Sequence, residues 1–145
     1  RGRRDRDRAR PAGARPDCAL LGFRLLGALL IGIHGWHRLH AGTSPIFGDW
    51  LATQDIPLAH AIAWGVTISE IIGSACLAVG LCVRPFALLF MAIYAMGIVL
   101  VHAPEGWFVV GAGRNGMEYS VLLIGSLALV ALRIRTPLWH AFGSR

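Results

Sequence analysis

The chain contains no lysine, and acids are scarce, with eight Asp and Glu in 145 residues. Charged residues make up 15% of the total, where a soluble domain carries about 25%. That deficit excludes the charged surface a water-soluble domain needs. Cysteine is sparse as well, with three residues at 18, 76 and 82. An odd count, no CxxC and no histidine at finger spacing exclude a disulfide framework and a zinc site. The three cysteines read as small apolar helix residues. No phosphate-cradling loop and no nucleophile–base set is present, which excludes a self-contained kinase or hydrolase.

What fills the space is apolar. Hydrophobic residues reach 55%, and the mean hydropathy is +0.58. A chain this apolar is not disordered in its body. The formal net charge is +6, with a pI near 10.6, but half of the arginines lie at positions 1, 3, 4, 6, 8, 10 and 15. Without residues 1–17 the charge is almost balanced, and no basic residues interleave with aromatics, so nucleic acid is not an expected partner. The expected partner is the lipid bilayer. Residues 1–17 read as an Arg-rich disordered tail, 18–135 as one membrane domain and 136–145 as a short C-terminal tail. The N-terminus resembles a secretory signal, but its apolar run is too long and others follow it, so it reads as an uncleaved first span. Residues 1–10 receive no structural role, since the chain does not begin with Met.

A membrane helix needs about 20 mostly apolar residues. Four segments are read as spans: Cys18 to Leu39, Leu58 to Cys82, the stretch after Arg84-Pro85 to His102, and Met117 to Leu132. Pro57 is placed as a helix starter and Pro104 as a stop. The segments at 41–56 and 104–116 read as surface connections. The expected fold is all-α, a four-transmembrane-helix bundle running antiparallel up and down. Arginine placement sets its orientation. The tail, Arg84, Arg133, Arg135 and Arg145 fall on one side, against Arg38 and Arg114 on the other. Both termini are therefore expected in the cytoplasm. Trp36, Trp50, Trp64 and Trp107 fall toward the outer side and Trp139 toward the inner one. Ala28 with Gly32, and Ser69 with Gly73, have the four-residue spacing of close helix packing.

Charges inside such spans are costly, at least about 2.5–3.5 kcal/mol each. Arg24, Glu70 and Glu118 lie within or at the margin of spans, and Arg38 near the end of the first. At 100° per residue Arg24, Gly27, Ile31, Gly35 and Arg38 share one face. Counting depth at about 1.5 Å per residue pairs Arg38 with Glu118 on the outer side and Arg24 with Glu70 on the inner side. Such pairs can order a bundle without doing chemistry.

Histidine forms the second constellation. His34, His37 and His40 end the first span, His60 starts the second and His102 ends the third. All five are expected toward the outer face, beside Arg38, Glu118 and Trp64. Three readings stand: interfacial histidines wetted by water, a proton-relay or quinone-headgroup site, and haem or metal ligation. His34, His37 and His40 spread over about 120° and cannot all face inward. No facing ligand pair is specified, so no metal site is expected.

Three local patterns resemble the DoxX family of small membrane proteins. Arg24 followed by Gly35-Trp36-His37-Arg38-Leu39 is similar to an early Arg and a Gly-x-x-Lys-Leu at the end of helix one, with Arg38 in the place of Lys. Glu70-Ile71-Ile72-Gly73, then Leu77 and Gly80-Leu81 before Arg84, is similar to Glu-x-x-Gly-Gly with a later Leu-x-x-Gly; Ser74 departs from the second Gly. Gly113-Arg114-Asn115-Gly116-Met117-Glu118-Tyr119 is similar to the Gly-rich run and Glu-Tyr that open the last helix. The resemblance covers residues 18–135. It implies a four-helix bundle in a bacterial cytoplasmic membrane, linked to quinone-dependent or thiol- and sulfur-linked redox systems and to oxidative-stress resistance.

The expected function is a membrane subunit or partner of such a redox system, with a redox protein or a second copy as partner and quinone as the candidate cofactor. The candidate site comprises Arg24, Arg38, Glu70 and Glu118, with His34, His37, His60, His102 and Tyr119 for proton relay or quinone contact. A non-catalytic scaffold or anchor is the alternative. A small-molecule carrier is a third reading, against which stand the lack of broken helices and of an inverted repeat.

Overall fold

A computed structural model describes residues 18–110 and 115–133. The Arg-rich tail at 1–17, Gly113, Arg114, Arg135 and the segment 136–145 with Trp139 and His140 lie outside those residues. Helix α1 spans Cys18–His40, α2 Ser44–Thr53, α3 Ala59–Val79, α4 Val83–Gly97 and α5 Glu118–Arg133. A π turn over Ile98–His102 continues α4. The described residues contain no strand. Three helical stretches are long and apolar enough to cross a membrane: Cys18–His40, Ala59–Val79 and Val83–His102. Leu29, Ile33, Ile68, Ile72, Leu88 and Leu122 lie exposed on the helix exteriors. Water would not tolerate that much outward apolar surface, and lipid does. The protein is an integral membrane protein.

Helix α1 packs against α3 and α5, and α4 packs against α5 and α3, so four helices close a ring. At its centre sit Ile31, Leu77, Val83, Ala87, Phe90, Leu127 and Val130. Packing in lipid depends on close fit rather than on exclusion of water. Small residues supply that fit. A Cβ on Gly73 would come within 2.5 Å of the Phe86 ring and 2.7 Å of Phe90. A Cβ on Gly32 would meet the Ser74 hydroxyl at 2.9 Å.

The α3–α4 turn follows from local chemistry. Leu81 N–H donates to Cys76 O at 2.8 Å and Gly80 N–H to Leu77 O at 3.3 Å. This is the Schellman closure, with Gly80 left-handed at φ 85°. Arg24 folds over it, and Nη2 donates to Ala78 O at 3.3 Å. A cation at the carbonyl end of α3 also opposes the helix dipole. Gly80→Ala is expected to lower stability by about 1–2 kcal/mol, and more if the Arg24 guanidinium cannot move. Denaturation in detergent, beside Gly65→Ala as a control in open space, checks this.

Two expectations need correction. The segment 41–56 is not a plain surface connection, because α2 occupies it. Pro45 lies in the first turn, where a missing N–H costs nothing. Phe47, Trp50 and Leu51 then recur at helical spacing and pack toward α3. Pro57 does not start the next helix. Leu58 takes a left-handed conformation at φ 56°, and α3 begins at Ala59.

Candidate functional site

The polar centre lies where α1 crosses α3. Gly35 makes the crossing close: a Cβ there would come within 2.7 Å of Glu70 Cβ and 3.0 Å of Thr67 O. Glu70 is buried, with 2% of its side chain exposed, and Arg38 is 19% exposed. Arg38 Nη1 donates to Glu70 Oε2 at 2.8 Å and to Thr67 Oγ1 at 3.4 Å. Thr67 donates onward to Ala63 O at 2.8 Å and shares a 3.2 Å hydrogen bond with Ser44 of α2. From α4, Tyr94 OH donates to Glu70 Oε1 at 3.5 Å. The Arg38 guanidinium carbon sits 4.8 Å from the centre of the Phe47 ring, a favourable cation–π distance. Three membrane-length helices and α2 thus converge on one ion pair.

Neither expected pair forms. Arg38 bonds Glu70, not Glu118, and Arg24 bonds the end of α3, not Glu70. The reason is side-chain direction. A helical side chain leans toward the N-terminus of its own helix. Arg38 leans back about one turn, to the level of Gly35, which faces Glu70. Arg24 leans toward the α3 C-terminus. Depth counted from Cα positions misses that lean, and α3 also ends three residues before the expected Cys82.

Beside the pair lies a cavity of about 460 Å³, within the usual range for small-molecule sites. Arg38, Glu70, Tyr94, His34 and His102 provide its polar lining. Phe47, Trp50, Leu51, Ile62, Val66 and Leu100 are among its apolar walls. The π turn brings Leu100, Val101 and His102 onto this wall; such turns recur at functional sites. His102 is fixed through Nδ1 to Asn115 O at 2.7 Å. A wider groove of about 940 Å³ runs along the other side of α1, past Leu29, Trp36, His37, His40 and Ile71. It is open, it lacks a buried charge, and its position is that of a lipid-facing surface.

The histidines divide accordingly. His34 and His102 line the cavity, and the His34 ring meets Tyr94 edge-on at 6.5 Å. His37 and His40 face the open groove. His60 pairs with Asp49 at 3.0 Å on the exterior. Glu118 is half-buried at the start of α5, and Tyr119 is 61% exposed. Sequence reasoning missed Tyr94, Thr67 and Ser44. Tyr94 had one available signal, as a phenol within an otherwise apolar span.

No curated protein and no solved structure matches this chain. The family model DoxX matches residues 19–103, which include all of α1 but its first residue, α2, α3, α4 and the whole Arg38–Glu70–Tyr94 centre. With more than half of its length under that match, the chain belongs to the DoxX family.

Proposed function

We propose that the protein is a membrane subunit of a redox system and holds a quinone headgroup in the cavity beside Arg38, Glu70 and Tyr94. The reading includes a four-span bundle, with α5 as the last span, in a bacterial cytoplasmic membrane. Both termini lie in the cytoplasm, because Arg84 at the start of α4 and Arg133 at the end of α5 fall on one side.

The observation that carries the proposal is the ion pair at the edge of a mostly apolar cavity. Opposite charges on Arg38 and Glu70 leave the site neutral, so an anionic head would meet the Glu70 carboxylate. A neutral carbonyl fits better. Arg38 spends Nη1 on Glu70 and Thr67, and its other N–H groups can donate to a carbonyl oxygen. Phe47, Trp50, Leu51 and Val66, the walls next to the pair, suit a flat, apolar ring. Reduction of a quinone takes two electrons and two protons. The electrons come from a partner redox protein, and Glu70, Tyr94 and His34 are the groups placed to pass protons.

Binding can be followed through Trp50 fluorescence in nanodiscs, with a decyl-substituted benzoquinone as probe. Quenching at micromolar probe is expected, and Trp50→Phe should remove most of it. Arg38→Met should weaken binding about tenfold or more, since a hydrogen bond to a charged group contributes about 1.5–3 kcal/mol, and Glu70→Gln should weaken it severalfold, since Arg38 loses the charge that holds its guanidinium in place. If both variants bind like the parent, the pair is a helix clamp and the scaffold reading stands.

A further inference from the structure

The quinone reading leaves open where the ligand comes from, and the cavity walls address this. Helices α3 and α4 leave the Gly80–Cys82 turn packed tightly, with Phe86 and Phe90 over Gly73. Nearer their other ends the cavity separates them. Two residues there line the cavity and also face outward: Ile62 of α3, 40% exposed, and Met96 of α4, 52% exposed. At about 1.5 Å per residue they lie about 27 Å and 21 Å along their helices from the turn, about one helical turn apart in depth. Both belong to stretches apolar enough to cross a membrane. Phe47 and Trp50 of α2 line the cavity beside them.

We propose that the cavity opens sideways into the bilayer between Ile62 and Met96, and that its ligand is a chain-bearing, membrane-dissolved carbonyl compound whose tail leaves through that portal. The proposal rests on the quinone reading and specifies its substrate class. The polar head docks against Arg38, beside Glu70 and Tyr94. An apolar chain then passes between two apolar side chains into lipid, where it loses no hydrogen bonds. Met is suited to such a gap, because its unbranched side chain adapts to what passes.

The test uses two probes with one benzoquinone head, a methyl and a decyl derivative, in nanodiscs, with affinities corrected for partition into lipid. Ile62→Trp and Met96→Trp fill the portal, and Val99→Trp, on an exposed residue outside the cavity lining, is the control. The decyl probe should bind the parent at least tenfold tighter than the methyl probe. Each portal variant should weaken the decyl probe at least tenfold and leave the methyl probe within twofold, with unchanged thermal unfolding. Unchanged decyl binding in both portal variants, or equal loss for both probes, overturns the portal. In those cases a methyl probe that still responds to Glu70→Gln keeps the headgroup reading intact. Absence of binding by either probe overturns both.

Discussion

Glu70→Ala is expected to destabilise the detergent-solubilised protein by about 3–5 kcal/mol. Glu70 is buried, and its partner Arg38 is 19% exposed. The substitution strands a guanidinium whose Nη1 has lost its carboxylate, and it leaves the Tyr94 hydroxyl without its acceptor. Most of the cost is the uncompensated charge rather than the lost attraction. Replacing both partners, Arg38→Met with Glu70→Met, should therefore recover most of the loss, since apolar replacement of a buried pair is often neutral or better. Stability measured for both single variants and the double variant separates these contributions. A loss below about 1 kcal/mol for Glu70→Ala would place the pair in the weak class of surface ion pairs. A double variant that is stable but does not bind quinone would assign the pair to ligand recognition rather than to folding.

Gly35→Val carries the second large effect. Its branched side chain would enter the space now held by Glu70 Cβ, Thr67 O and Ile71 Cγ1. Thr67 O is backbone and cannot rotate away. Helix α1 must shift from α3, at about 1–3 kcal/mol for overpacking. The shift also lengthens the 2.8 Å Arg38–Glu70 bond, so quinone affinity and stability should fall together. Gly22→Val, in open space on the same helix, should leave both near the parent value. If Gly35→Val lowers stability but not affinity, the α1–α3 crossing is not what positions Arg38.

Much of the fold was legible because membrane helices leave strong signals. Apolar runs bounded by Arg84-Pro85 and Pro104 gave α4 with its π turn to within a few residues. The stripe of Gly27, Ile31 and Gly35 is the buried face of α1. Motif glycines that carried the family resemblance have identifiable structural work. Gly35 admits Glu70, Gly73 admits two phenylalanine rings and Gly80 closes α3 beneath Arg24. Helix α2 was hidden because its ten residues are too short for a span and its Gly, Pro and Asp resemble loop composition. Its stripe of Phe47, Trp50 and Leu51 was the signal that could have revealed it.

The sequence by itself determined that the chain is an all-helical membrane protein, and which few charged side chains its apolar spans must accommodate. Composition and periodicity are enough for that, because burying a charge in lipid is costly wherever it happens. Only the tertiary structure decided that Arg38 meets Glu70, that Tyr94 joins them and that His34 and His102 share the cavity while His37, His40 and His60 do not. Those outcomes depend on the lean of side chains and on the closeness of the crossing that Gly35 allows. They are offsets of one helical turn between neighbouring helices, and spacing along a single helix does not encode them.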